Sequence, residues 1–137
     1  MARYVADIES KLAPEEAFAY MADFSNARHW DPSVSKAERV GDGTFELVAK
    51  FGGKDVPLRY TAIEHDPPRL VVLEAARPGF VSRDTITVSP APGGSIVHYD
   101  ALLQFGGARK LLDPLMQLVF SRVGAKAKAG LETALNP

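Results

Sequence analysis

The sequence predicts an α+β fold in which one seven-stranded antiparallel sheet curls around a long C-terminal helix, with two short helices between strands 1 and 2. Three observations predict it. Residues 34–106 alternate between apolar and polar side chains and are interrupted by glycine and proline turn signals. The segment from residue 113 onward returns to a helical period, and the connections between strands are short, which favours antiparallel pairing.

The composition indicates a globular protein with one core. The 137 residues fit a single domain over 1–137, and 46% of them are hydrophobic. With 16 basic and 17 acidic residues, no net field attracts nucleic acid or anionic membranes. No cysteine is present, no signal peptide is legible, and no apolar run is long enough to span a bilayer. We therefore expect a cytoplasmic monomer or homodimer that binds no nucleic acid and does not insert stably into membranes.

The N-terminal third predicts a strand at 3–9 and two short helices. Pro14 suits the first turn of a helix of about ten residues, and the acidic pair after it complements the helix dipole. The stretch "SNARHW" predicts one more helical turn, with Ser25 as its cap. Asp31-Pro32 ends that turn, because the residue before a proline resists helical geometry.

Six further strands follow, separated by the turn signals GDG, GG, DPP, PG and PAPGG. They are predicted near 34–40 and at 44–51, 56–64, 70–76, 80–88 and 95–105. The apolar members of the alternation are expected to face inward, although a one-residue slip in register would exchange the two faces. The expected inward residues are Phe45, Leu47, Phe51, Leu58, Tyr60, Val71, Leu73, Ile86, Val88, Val97, Tyr99, Leu103 and Phe105.

The C-terminal segment predicts one long helix. Asp113-Pro114 reads as a cap followed by proline at the first position, so the helix runs from 114 to about 135, and the pattern permits a further turn over 108–112. Its 22 residues correspond to about 33 Å. A helix this long with one apolar stripe is expected to lie across the sheet.

Three stretches carry a resemblance to a known family: "APEEAFAYMADFSNARHWDPSV", "DTITVSPAPGGSIVHYDALLQFGG" and "LLDPLMQLVFSRVGAKAKAGLETAL". They resemble the START/Bet v 1-like (SRPBCC) helix-grip superfamily, in particular its bacterial polyketide cyclase/dehydrase and lipid-transport group. The resemblance covers nearly the whole chain. It implies a cavity between the sheet and the C-terminal helix for a hydrophobic small molecule: a lipid, an isoprenoid or a polyketide-like aromatic. Members include carriers, sensors and cyclases, so the fold alone does not choose among them.

Under this resemblance ten residues are expected to bind the ligand: Trp30, Phe45, Leu47, Tyr60, Leu73, Asp84, Tyr99, Leu103, Met116 and Phe120. Tyr60 and Tyr99 stand out because a buried phenol needs a hydrogen-bond partner, which a ligand carbonyl can supply. Trp30 is expected to plug the corner between the short helices and strand 2. The alternative, compatible with the first, is that its indole lines the mouth of the cavity.

Asp84 is the most informative polar residue and the one catalytic candidate. It shares a strand face with Phe80 and Ser82, so we expect it to face the interior. A carboxyl group in an apolar cavity has a raised pKa and can act as a base or as a neutral donor. The alternative is that Asp84 pairs with a neighbouring arginine such as Arg59 or meets water at a bulge. The alternation places Arg59 on the face opposite Tyr60, which favours a solvent-facing role for that arginine.

The remaining polar residues predict no further chemistry. The three histidines lie on different elements without metal-ligand spacing, so we expect no metal, and no phosphate loop or nucleophile motif indicates a cofactor. His29 is expected to be exposed, His98 to point away from the helix, and Asp31 to make a turn hydrogen bond.

Three functions remain open. The first is a binding module for a hydrophobic ligand. The second is a cyclase/dehydrase-type enzyme in which Asp84, Tyr60 and Tyr99 abstract a proton next to a carbonyl and stabilise the enolate. The third is a protein-interaction module, which a filled core and an exposed apolar patch would favour.

Overall fold

A computed structural model describes residues 1–107 and 113–137. Seven strands form one antiparallel sheet in the order β1-β7-β6-β5-β4-β3-β2. The strands are β1 (Ala2–Ser10), β2 (Val34–Gly41), β3 (Thr44–Phe51), β4 (Lys54–Asp66), β5 (Leu70–Arg77), β6 (Phe80–Ala91) and β7 (Gly94–Phe105). The helices are α1 (Pro14–Ala22), α2 (Ala27–Trp30) and α3 (Asp113–Ala134), and a 3₁₀ turn (Phe24–Asn26) leads into α2. The predicted fold class is confirmed; the further turn expected over 108–112 lies outside the described residues.

The strand register confirms the inward face expected from the alternation. Phe45 on β3 lies opposite Tyr60 on β4, and both are buried. Asp84 on β6 lies between Leu73 on β5 and Ala101 on β7, all three with little exposure. The register holds because a slip by one residue would carry this whole apolar set to the solvent face.

The corner between α1 and β2 is built from short side-chain caps. Asp23, and not Ser25, caps the 3₁₀ turn: its Oδ1 accepts hydrogen bonds from the Ser25 amide at 3.1 Å and from the Ser25 hydroxyl at 2.6 Å. The expected cap at Ser25 was therefore wrong by two residues, because the helical turn begins earlier and a carboxylate accepts two donors at once. The chain leaves α2 at Asp31, whose amide donates to the Ala27 carbonyl at 2.8 Å.

Helix α3 approaches α2 and β1 closely along its C-terminal half. Gly130 lies against the Trp30 backbone, where a Cβ would overlap the Trp30 carbonyl, and Gly124 lies against the ring of Tyr4. Glycine at these two positions lets the helix backbone approach its neighbours at contact distance. Leu131 on the same helix is completely buried. The sheet and α3 are therefore pinned together at this end.

Hydrogen bonds fasten the end of α3 to β1. The Ser10 hydroxyl donates to the Leu135 carbonyl at 2.7 Å, and the Asn136 side chain donates to the Glu9 carbonyl at 2.9 Å. The Asn136 side-chain oxygen accepts from the Lys11 amide at 2.9 Å. These bonds satisfy polar groups at the C-terminal end of the helix, which would otherwise lack partners.

Candidate functional site

A cavity lies between the sheet, the α2–β2 corner and the middle of α3. Its volume is about 140 Å³, and its mouth opens to solvent. Strands β3, β4, β6 and β7 supply most of the wall, and α3 contributes Phe120 and Val123. The lining is predominantly apolar, with a few hydroxyl and carboxyl groups, which is the usual character of a small-molecule site.

Aromatic rings form one wall of the cavity. The ring of Trp30 meets Tyr99 at 5.5 Å and Phe24 at 6.1 Å, and the ring of Phe24 meets Tyr60 at 5.0 Å. All three contacts are edge-to-face, the arrangement that the charge distribution of aromatic rings favours. Trp30 is only 2% exposed and also lines the cavity, so the structural and the cavity-facing roles predicted for it coincide.

Two hydrogen bonds that involve tyrosine hydroxyls connect strands on the sheet side of the cavity. The Tyr60 and Ser82 hydroxyls lie 2.7 Å apart, and the Tyr99 hydroxyl donates to Asp84 Oδ2 at 3.2 Å. Ser82 and Asp84 lie two residues apart on β6 and so share its inner face, while β4 and β7 bring the phenols to them. The cavity thus has a polar floor made by three strands.

Burial changes the acidity of this floor. Asp84 is 6% exposed, and burial raises its pKa to about 7; the hydrogen bond from Tyr99 opposes this shift, and the nearby negative charges of Asp31 and Asp100 add to it. Burial also raises the pKa of Tyr60 and Tyr99 above the ordinary phenol value, so both remain neutral donors. Near neutral pH the Asp84 carboxyl group therefore populates both protonation states.

Arg59 is not the partner of Asp84, which corrects the alternative considered from the sequence. Its guanidinium pairs with Glu46 at 3.2 Å on the outer face of the sheet, where both side chains are exposed. Arg83, next to Asp84 in the chain, pairs with Glu74 on that same outer face. The strand alternation explains this result, because Arg59 on β4 and Arg83 on β6 occupy positions whose side chains point away from α3.

Asp31 also lines the cavity, which the sequence interpretation missed. Its Oδ1 accepts hydrogen bonds from the Ser33 amide at 2.9 Å and the Ser33 hydroxyl at 2.7 Å, so the expected turn bond is present. Burial raises the pKa of Asp31, and the two bonds from Ser33 oppose that shift. The D-P-S order indicates such a turn, but no sequence signal shows that the turn lies against the interior.

Seven of the ten residues expected to bind the ligand line the cavity: Trp30, Leu47, Tyr60, Asp84, Tyr99, Leu103 and Phe120. Phe45, Leu73 and Met116 do not. The ring of Phe24 lies 6.5 Å from Phe45 and helps to bury it, and Leu73 is fully enclosed in the packed core. Met116 lies one helical turn before Phe120, where the lining contributed by α3 begins. Alternation identifies the inner face but does not show which part of that face is filled.

The histidines remain outside the cavity. His29 is exposed on α2, and His98 lies on the outer face of β7 with its Nδ1 2.5 Å from Asp7. Within residues 1–107 and 113–137, no three potential metal-ligating side chains cluster. Over the same two ranges, no helix combines the length and the hydropathy of a membrane span.

A curled seven-stranded antiparallel sheet that holds a long C-terminal helix over an apolar cavity defines the START-type helix-grip class. The solved structures agree. A START superfamily protein from Mycobacterium smegmatis superposes with a TM-score of 0.76 at 11% identity, covering 98% of this chain and 95% of that one. The protein TTHA0849 from Thermus thermophilus gives 0.76 at 20% identity, with coverage of 98% and 95%.

The chain belongs to the family described as polyketide cyclase / dehydrase and lipid transport, which matches residues 1–136. The di-domain ARO/CYC protein BexL from the BE-7585A biosynthetic pathway has the same fold, with a TM-score of 0.73 at 9% identity over 97% of this chain and 49% of that chain. A curated Mycobacterium tuberculosis protein (strain H37Rv), named toxin Rv0910, is 27% identical over 96% of this chain and 94% of its own.

Proposed function

We propose that this protein binds a hydrophobic small molecule, a lipid, an isoprenoid or a polyketide-like aromatic, in the cavity beneath α3. The observation that carries the proposal is the aromatic wall of Phe24, Trp30, Tyr60 and Tyr99 facing a space that the core side chains leave open. An open cavity favours a ligand over the protein-interaction hypothesis, which expects a filled interior.

The size of the space supports a ring-sized ligand or portion of a ligand. Apolar cavities of roughly 150 Å³ accept benzene, and the enclosed part of this cavity is about 140 Å³. The cavity therefore accommodates one ring of a polycyclic aromatic or one unit of an isoprenoid, and the remainder of such a ligand would extend through the mouth.

The direct test is native mass spectrometry on the protein purified from its host, which we expect to show a co-purifying small molecule. A titration with prodan, an uncharged naphthyl ketone whose emission reports apolar surroundings, provides a second measurement. Val123→Trp introduces an indole into the cavity and should abolish both signals. The matched control is Leu118→Trp, which adds the same side chain at an exposed position of α3. Apo protein in the first experiment and no difference between the two variants in the second would reject the proposal.

A second candidate function is enzymatic, of the cyclase/dehydrase type, and the 3.2 Å contact between Tyr99 and Asp84 favours it. In its ionised form the Asp84 carboxylate takes a proton from the carbon next to a ligand carbonyl. The electrons of the broken C–H bond form the C=C bond of an enolate, and the carbonyl oxygen receives the negative charge. A neutral phenol, Tyr60 or Tyr99, donates a hydrogen bond to that oxygen.

Solvent exchange tests this second function. We expect the protein to accelerate deuterium uptake by benzoylacetone in D2O, measured by NMR, and Asp84→Asn to remove about 100-fold or more of that acceleration. Asp55→Asn, an exposed change on β4, should leave it intact. Acceleration that is equal in the wild type and in Asp84→Asn would show that Asp84 is not the base.

A further inference from the structure

We infer that the cavity selects uncharged ligands that carry a hydrogen-bond acceptor and rejects ligands that carry a carboxylate. Two carboxyl groups face it, Asp31 from the α2–β2 corner and Asp84 from the sheet, and no lysine or arginine is among its described lining residues. The inference rests on the proposed binding function and narrows its ligand class, because it excludes free fatty acids and other organic acids.

Of the two carboxyl groups that line the cavity, Asp31 is the one that is ionised. Its Oδ1 accepts two hydrogen bonds from Ser33, at 2.9 Å from the amide and 2.7 Å from the hydroxyl. Both donors stabilise the ionised carboxylate, since hydrogen bonds to the charged form favour that form. The two bonds oppose the rise in pKa that burial causes at Asp31, so this carboxyl group ionises before Asp84 and carries the negative charge at the corner of the cavity.

Asp84 is the carboxyl group that keeps its proton. Its one described hydrogen bond comes from the Tyr99 hydroxyl on β7, and the neighbouring residue on β5 is the apolar Leu73. An isolated carboxylate in these surroundings is costly, so burial and the charge of Asp31 favour the protonated group. A protonated carboxyl group donates an O–H hydrogen bond to an acceptor on the ligand.

The other titratable and charged groups near Asp84 do not change its preference for the protonated form. Tyr60 on β4 is a neutral phenol that faces the same cavity. Asp100 on β7 adds negative charge, although it lies on the outer side and is paired with Arg3. Helix α3 contributes Phe120 and Val123 to the lining, neither of which titrates.

A ligand carboxylate would therefore lose its hydration in a low-dielectric space and meet like charge. A ligand ketone would lose little hydration and would receive the proton of Asp84. The expected discrimination is at least about 10-fold in Kd between two ligands of equal shape, one neutral and one anionic.

Isothermal titration of the full chain with 2-acetylnaphthalene, 2-naphthoate and naphthalene tests this discrimination. At pH 6.5 the ketone should bind most tightly and the naphthoate at least about 10-fold more weakly. The Kd of the ketone should rise as pH increases from 6 to 8.5, because Asp84 loses the donated proton over this range.

Asp84→Asn provides the matched variant. An amide retains a donor without the charge, so binding of the ketone should persist and lose its pH dependence. The naphthoate still meets the charge of Asp31 and should remain the weaker ligand. Thermal melting verifies that the variant is folded, and the wild-type comparison of ketone with naphthoate needs no variant.

The outcomes separate the two proposals. Naphthoate binding to the wild type as tightly as the ketone would overturn the charge selection while the hydrophobic binding function stands. If neither naphthalene nor the ketone binds, the proposed function itself fails. Ketone binding that is independent of pH in the wild type would remove Asp84 as the donor.

Discussion

The two halves of α3 meet the sheet in different ways. Along the C-terminal half, glycine and alanine residues bring the helix against α2 and β1, and Leu131 is completely buried. Along the N-terminal half, Leu115 and Leu118 are 58% and 53% exposed, and Phe120 lies over the cavity. One half closes the core and the other half leaves the cavity open.

This difference separates stability from binding along a single helix. Small residues allow the backbone to approach, so the closed half gains dense packing and its full share of the hydrophobic free energy. At the open half, the space beneath the helix is bordered by hydroxyl and carboxyl groups that need hydrogen-bond partners. The closed half is therefore expected to carry stability, and the open half is expected to carry binding.

The largest expected effect comes from two leucines of the same helix. Leu131→Ala in the closed half should lower the free energy of unfolding by about 4 kcal/mol, because it leaves a cavity in a fully buried site. Leu118→Ala in the open half should change it by less than about 0.5 kcal/mol. Urea denaturation measures both changes, and equal losses would contradict the proposed difference in stability between the two halves of α3.

The second effect concerns pH. The pKa of Asp84 is about 7 in the folded protein and its ordinary value is 3.8, so the folded state keeps the proton to higher pH than the unfolded chain. The contribution of Asp84 to the free energy of unfolding should therefore be largest below about pH 4, fall as pH rises to about 7, and then level off.

Asp84→Asn should remove this decline and stabilise the protein above pH 7 by on the order of 3 kcal/mol. Urea denaturation at a series of pH values measures the change, and Asp42→Asn in an exposed turn is the control. A decline of the same slope in Asp84→Asn would assign the pH dependence to other groups.

The third effect tests whether the open half of α3 contributes to binding without contributing to stability. Val123→Phe enlarges a lining residue and should weaken prodan binding by at least about 10-fold, roughly 1.4 kcal/mol. Because the added ring occupies existing space, the free energy of unfolding should change by less than about 1 kcal/mol. Fluorescence titration and urea denaturation together measure this separation, and a loss of stability without a loss of binding would contradict it.

The smallest effect tests the polar floor. Tyr60→Phe removes the 2.7 Å hydrogen bond to Ser82 and should lower the free energy of unfolding by about 1 kcal/mol. The double variant with Ser82→Ala removes both partners and should restore part of that loss. A double variant less stable than Tyr60→Phe alone would indicate that Ser82 has another partner.

Much of the site followed from the alternation of side chains. Tyr60, Asp84 and Tyr99 were expected on the inner face because their strands alternate cleanly, and the register placed them there. Phe45 and Leu73 share that face but lie where the core is filled. Local pattern decides which face a side chain occupies, and only neighbours from distant segments decide whether space remains in front of it.

The residues at the α2–β2 corner also show what local sequence pattern cannot predict. The tryptophan and the Asp-Pro step predicted a structural turn, and the turn is present. The position of Asp31 against the cavity depends on how α2 packs on α3, where Gly130 admits the Trp30 carbonyl. Trp30 and Gly130 are about one hundred positions apart in the chain, so no local sequence pattern could predict their contact.

The sequence by itself determined the order of the elements, the faces of the strands and the family resemblance, because periodicity, turn chemistry and caps act over a few neighbouring residues. The tertiary structure alone decided that α3 fills the core along its C-terminal half and borders a cavity along its N-terminal half, and that two carboxyl groups face this cavity. Those features depend on close contacts and low dielectric between segments that are far apart in the chain, and such contacts exist only once the sheet has curled around the helix.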